Sequence, residues 1–257
     1  MFSIEFEVEM NRELEKLYKS KWDILVKEAN GLNSKAAYPL LIKVNQSYVD
    51  SDIKVMIVGQ ETDGWYGLLN EGAATVEELM NAYSDYFNQR SENGKKRGKR
   101  PFWNGKNYLY FERELKEYYF GKSVSFIWNN VSKIGNNGRG KPSSSIEQLE
   151  RDYFDVFSEE FAILKPDVVI FTTGHTRDSY IEYHLGDDVQ FIPKLSLFDG
   201  TLSDQTSNLL VEVKIPRYPD VKSIRIEHPN RRTLKNSVSL AVLTSLLEAE
   251  DFQKTQD

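Results

Sequence analysis

The chain has 257 residues, with 33 lysines and arginines against 39 aspartates and glutamates, for a formal net charge of -6. It has no cysteine, which excludes disulfides, thiolate metal sites and cysteine nucleophiles. No apolar run approaches the roughly 18–20 residues of a bilayer span, and Glu5, Glu7 and Glu9 are the opposite of a signal peptide.

A chain of this length buries enough surface to need no covalent or metal staple. No repeat, low-complexity tract or Pro/Gly-rich linker divides it, so one domain over 1–257 is expected, with a helical segment at 1–45 and an α/β core at 50–250. A cytoplasmic, monomeric protein with no membrane partner is the expectation. The acidic total argues against nucleic acid, but the basic residues are clustered. Lys95, Lys96, Arg97, Lys99, Arg100 and Lys106 form one group, Lys133, Arg139 and Lys141 a second, and Arg231, Arg232 and Lys235 a third.

Residues 11–29 read as a helix, with Leu14, Leu17, Trp22, Leu25 and Val26 at helical spacing. Ile53 to Val58 is a β-branched apolar run ending at Gly59, the pattern of a buried parallel strand. Thr75 to Gln89 reads as a helix opened by a capping box of Thr75 and Glu78. A basic loop follows at 93–100, then a helix at 107–119. Ser123 to Trp128 is a second strand, ending at Asn129 and Asn130. A glycine-bearing loop precedes one helix over 145–164, stopped by Pro166. Strands are predicted at 167–172, 209–214 and 223–227, with a short helix from Thr176 and a closing helix at 234–248. Alternating strands and helices imply an α/β fold: three-layer α/β/α around a central, mostly parallel sheet. Ligands of such sheets bind outside the carboxyl ends of the strands.

The strand-end residues are therefore the candidates. After the first strand comes Gly59-Gln60-Glu61-Thr62-Asp63-Gly64-Trp65, two carboxylates and an amide among glycines. It matches no dinucleotide- or triphosphate-binding loop. Asn130 offers a donor and an acceptor, as reading a nucleobase edge requires. His228 stands before Pro229, which restricts its backbone, and beside Arg231 and Arg232. Phe102, after the basic loop, suits stacking on a base. His175 is a weaker candidate, and His184 is expected on the surface.

In order along the chain, these segments resemble the uracil-DNA glycosylase superfamily, as a divergent branch. Gly59-Gln60-Glu61-Thr62-Asp63-Gly64 is similar to the family's first motif, which follows a core strand, and His228-Pro229-Asn230 to its second, His-Pro-Ser. Asn130-Val131-Ser132-Lys133 resembles the Asn-Val-Val-Lys of one branch, and Arg100-Pro101-Phe102 its Arg-Pro-Phe stacking segment. The departures are Glu61 in place of Asp or Asn, Thr62 in place of proline, Asn230 in place of serine, and a long insertion between Trp65 and Phe102.

The resemblance implies a DNA glycosylase acting on uracil or another damaged base flipped out of single- or double-stranded DNA. In that reading Glu61, with Asp63 as the alternative, stabilises the cationic sugar and orients water, and His228 stabilises the departing base. Gln60, Phe102 and Asn130 bind the base, and Lys133, Arg139, Arg231 and Arg232 hold DNA. The chemistry requires no metal and no cofactor. The alternative is a catalytically inactive nucleic-acid or nucleobase-binding protein on the same fold. A third class, a small-molecule α/β enzyme, lacks the Gly-x-Ser-x-Gly elbow of serine hydrolases.

Overall fold

A computed structural model describes residues 2–89, 101–103, 107–138, 140–194, 208–231 and 233–254. Eight α-helices are named here among the described residues: α1 Phe2–Ala29, α2 Gln46–Val49, α3 Val76–Tyr83, α4 Tyr108–Tyr118, α5 Ser144–Tyr153, α6 Phe157–Leu164, α7 Asp178–Leu185 and α8 Asn236–Lys254. The strands are β1 Ile53–Gly59, β2 Val124–Asn130, β3 Val168–Phe171, β4 Gln190–Pro193, β5 Leu210–Lys214 and β6 Lys222–Ile226. They form one six-stranded sheet in the order β2-β1-β3-β6-β5-β4. The pairs β1·β3 and β3·β6 are parallel, with Val55 opposite Val168 and Val168 opposite Lys222. The pairs β6·β5 and β5·β4 are antiparallel. The class is α/β with a mostly parallel sheet flanked by helices, as expected from the alternation of strand and helix patterns.

The chain forms two compact units. The first comprises Met1–Asp50, Gln60–Arg97 and Ile127–Lys165 and holds α1, α3, α5, α6 and the last residues of β2. Its long helix α1 packs on α3, α5 and α6. The second comprises Ser51–Gly59, Gly98–Phe126 and Pro166–Asp257 and holds the sheet with α4, α7 and α8.

In the second unit, Val55 to Val58 and Val168 to Phe171 are all buried. This double-sided burial is why their sequences run apolar without alternation. Asp52 ties the start of β1 to β2 by accepting from Ser123 N and Oγ, both at 2.7 Å. Arg225 of β6, 1% exposed, is neutralised by Asp178 at the start of α7, with Nε 2.9 Å from Oδ1. Burial raises the Asp178 carboxyl pKa, and the guanidinium only partly offsets it.

Three expectations change. The single helix over 145–164 is two, α5 and α6, because the chain leaves helical geometry at Phe154 (φ -142°). Phe154, Val156 and Phe157 are all fully buried there, and three such close positions cannot share one stripe of a continuous helix. The helix expected over 75–89 ends its α-helical part at Tyr83 and continues as a π-helical turn over Ser84–Gln89. The edge strand β4 is an addition to the five expected strands; its residues are exposed or half-buried and end in Pro193. Among the described residues no helix is long and apolar enough to cross a membrane.

Candidate functional site

The last residues of β2 organise the site of the first unit. Alternation along a strand sends Trp128 and Asn130 to one face and Asn129 to the other. β2 lies at the sheet edge, so its outward backbone groups need partners. The Tyr83 hydroxyl supplies both, accepting from Trp128 N at 3.0 Å and donating to Trp128 O at 2.9 Å.

On the Trp128 face, aromatic rings gather. Trp65 lies edge-on to Trp128 (5.8 Å) and to Tyr86 (5.5 Å), and Tyr83 stacks on Trp128 at 6.2 Å. Trp128 Nε1 donates to Asn130 Oδ1 at 3.0 Å. An indole N–H can only donate, so this bond fixes which end of the carboxamide faces it. Asn130 is 1% exposed, and its Nδ2 has no hydrogen-bond partner among the described residues. The same holds for the buried Trp65 Nε1 and Thr62 Oγ1. Buried polar atoms are nearly always paired. Three such atoms lie on the β1 loop and at the end of β2.

On the opposite face, Asn129 enters a buried charged network. Its Nδ2 donates to Glu160 Oε2 at 3.0 Å, and its Oδ1 accepts from Lys133 Nζ at 2.7 Å and from Asn130 N at 2.8 Å. Lys133 Nζ also lies 2.8 Å from Glu160, and Tyr18 of α1 donates to Glu160 Oε1 at 2.6 Å. Glu150 of α5 captures the next two backbone donors, Lys133 N at 2.8 Å and Ile134 N at 2.9 Å. Lys133 and Glu160 are fully buried. Burial pushes the Lys133 ammonium pKa down, with Glu160 opposing the shift.

This placement corrects the expectation that Lys133 holds DNA. Its side chain is fully buried, with the ammonium between Asn129 of β2 and Glu160 of α6, and cannot reach a phosphate; its role is to neutralise Glu160.

The loop after β1 packs on the loop after β2. Ser132 N donates to Gln60 O at 2.9 Å and Gly64 N to Asn136 O at 3.1 Å. Gly135 is required there, because a Cβ would overlap the Thr62 carbonyl oxygen. Gln60 and Glu61 are half-buried, whereas Asp63 is exposed. The first unit therefore holds Gln60, Glu61, Thr62 and Trp65 on the loop after β1, and Asn130 at the end of β2, where the loops after the two strands interlock.

The second unit brings together the other two motifs. The turn Pro101–Trp103 contacts the turn Pro229–Arg231. Phe102 is half-buried, its ring 4.6 Å from Trp103 and 5.9 Å from Tyr108. His228 is half-buried after β6, and its Nδ1 accepts from Asn230 N at 3.3 Å. An accepting Nδ1 places the ring proton of the neutral imidazole on Nε2. Gly174 (φ +67°), after β3, lets the chain pass His228 closely: a Cβ there would lie 3.4 Å from His228 N. Glu227 holds the following turn through Thr233 N (2.8 Å) and Leu234 N (2.9 Å).

Arg231 is exposed. Arg139, Arg232 and the basic group from Lys95 to Arg100, with Lys106, lie outside the described residues. His175 is exposed, but His184 is 7% exposed, against the surface position expected from its polar helix. One face of α7 is buried, with Tyr180, Ile181 and Leu185 beside it. Among the described residues no group of three or more histidine, aspartate or glutamate side chains could hold a metal ion.

Sequence reasoning gave no role to Tyr18, Glu150, Glu160 or Trp128. Glu160, directly before the apolar Phe161–Leu164, and a lysine between Val131 and Ile134 were the available signals. No protein-family model matches this chain, and neither does any curated protein.

Proposed function

We propose that this chain is a uracil-DNA glycosylase-like protein, which binds DNA, takes up a flipped-out uracil or another damaged base, and hydrolyses its N-glycosidic bond. Asn130 carries the reading. Its oxygen is anchored by Trp128, and its Nδ2 is buried with no hydrogen-bond partner among the described residues. An unpaired buried donor costs about 1–3 kcal/mol. A carbonyl oxygen on a base edge relieves that cost, whereas an exocyclic amine does not.

The remaining roles are those that the resemblance implies. The C1′–N bond breaks with its electron pair leaving on the base, water adds at C1′, and the water's proton passes to a carboxylate. Of the two carboxylates after β1, half-buried Glu61 fits that role better than exposed Asp63, because a partly desolvated carboxylate interacts more strongly with the cationic sugar. His228, with its proton on Nε2, is the donor to the oxygen on which charge develops. Gln60 and Phe102 contact the base, and Arg231 with Arg232 and Arg139 contacts phosphates.

The test is base release from oligonucleotides carrying one uracil, with Glu61→Ala and His228→Ala beside the parent. The reading predicts release by the parent and a loss of about 10²–10³-fold in His228→Ala, with a comparable loss in Glu61→Ala. Retained DNA binding with no release from any lesion would replace it with the inactive binding module.

A further inference from the structure

The network behind Asn130 reaches a part of the chain that the glycosylase-like motifs do not include. We infer that Tyr18, on the N-terminal helix α1, is a positioning residue for Asn130, acting through Glu160 and Asn129. The inference rests on the reading of Asn130 as the group that meets the base.

Each link is a hydrogen bond with a single sense. The Tyr18 oxygen already accepts from Ile42 N at 3.1 Å, and its proton goes to Glu160 Oε1 at 2.6 Å. Glu160 Oε2 takes the Asn129 amide at 3.0 Å. That bond directs the Asn129 oxygen toward Lys133 and toward Asn130 N, at 2.7 and 2.8 Å. Because Nδ2 faces a carboxylate and Oδ1 faces an ammonium, this carboxamide cannot flip. The peptide carrying Asn130 is thus held from behind, while Trp128 holds the Asn130 side chain from in front.

The bonds are interdependent. Lys133 Nζ is shared between Glu160 and Asn129. Lys133 Nζ already lies 2.8 Å from Oε1, so removing the Tyr18 hydroxyl leaves Oε1 to the ammonium alone, and more of the ammonium's donation goes to Glu160 and less to Asn129. The Asn129 oxygen then holds Asn130 N more loosely. A buried ion pair with polar satellites is no more stabilising than apolar packing of the same volume. Its distinguishing property is the direction it imposes, and here that direction ends on the backbone of Asn130. Helix α1 is thereby part of the base-reading machinery rather than a support for it.

The experiment compares Tyr18→Phe with Tyr48→Phe. Both remove one buried hydroxyl from the same unit, but the Tyr48 hydroxyl donates to the Leu164 carbonyl at 3.0 Å and not to Glu160. Two readouts are taken: amide hydrogen exchange at Asn130, and kcat/KM for base release beside affinity for the same oligonucleotide without a lesion. Tyr18→Phe is expected to exchange at Asn130 about tenfold faster and to lose about tenfold in kcat/KM, with unmodified DNA bound as by the parent. Tyr48→Phe is expected to change neither. Equal exchange in the two variants, or activity lost only in proportion to the folded fraction, overturns the inference. An inactive parent overturns the glycosylase reading and with it the base-positioning role; the exchange arm then tells whether the link from Tyr18 to Asn130 still exists.

Discussion

Lys133 illustrates how far a side chain's type can mislead about its role. A lysine in a loop beside Arg139 and Lys141 reads as a phosphate contact, yet it is sealed beside Glu160. Lys133→Ala would strand that carboxylate in the core, a cost of about 3–5 kcal/mol; urea denaturation measures it. DNA affinity per folded molecule should stay at the parent value. Tyr18 makes a second prediction. Burial and the nearby Glu160 carboxylate raise its phenol pKa well above 10.0. The unfolded chain releases this proton from about pH 10 upward, while the folded chain retains it. The folded state then binds more protons, so stability falls as pH rises above 10. Tyr18→Phe should show a shallower fall than the parent in thermal unfolding between pH 9 and pH 11. The chemistry-bearing types Glu61, Asn130 and His228 were legible because each stands at a strand end. The unpaired Nδ2 was not, because a pairing state depends on Trp128 and on burial, which no spacing encodes.

At the scale of elements, local rules held where the signal was local. The capping box of α3 is complete: Glu78 N donates to Thr75 Oγ1 at 3.2 Å, and Thr75 N donates to Glu78 at 2.7 Å. Thr75→Ala should cost about 1 kcal/mol, read as a lower unfolding midpoint. The Thr75 donors also hold the Glu78 carboxyl below its ordinary 4.5. Its contribution is present above that pH and is lost as pH falls through the lowered value. The buried strands β1, β2 and β3 were readable as β-branched runs bounded by Gly, Asn and Pro. The break between α5 and α6 was not, since apolar residues at 154, 156 and 157 satisfy either a buried helix or a buried turn. The edge strand β4 has too few buried residues to leave a period, and it is held by pairing with β5.

At the scale of the whole chain, strand-helix alternation was sufficient for the α/β class and the mostly parallel sheet. The order β2-β1-β3-β6-β5-β4 was not, because pairing between distant strands leaves no mark on any one segment. The glycosylase-like motifs fall into two pairings, the β1 and β2 loops in one unit and the Phe102 and His228 turns in the other. Trp128 on its own supplies only an aromatic wall; with Asn130 beside it, the wall acquires a single oriented donor. The account therefore depends most on Asn130 reading a base carbonyl. The direct measurement is base release from single-stranded oligonucleotides that differ only in one uracil or one cytosine, with the parent and Asn130→Ala. The account predicts release of uracil and not cytosine by the parent, and a loss of at least about tenfold on uracil in Asn130→Ala, one base-edge contact being worth about 1–3 kcal/mol. Uracil release unchanged in a folded Asn130→Ala would contradict it.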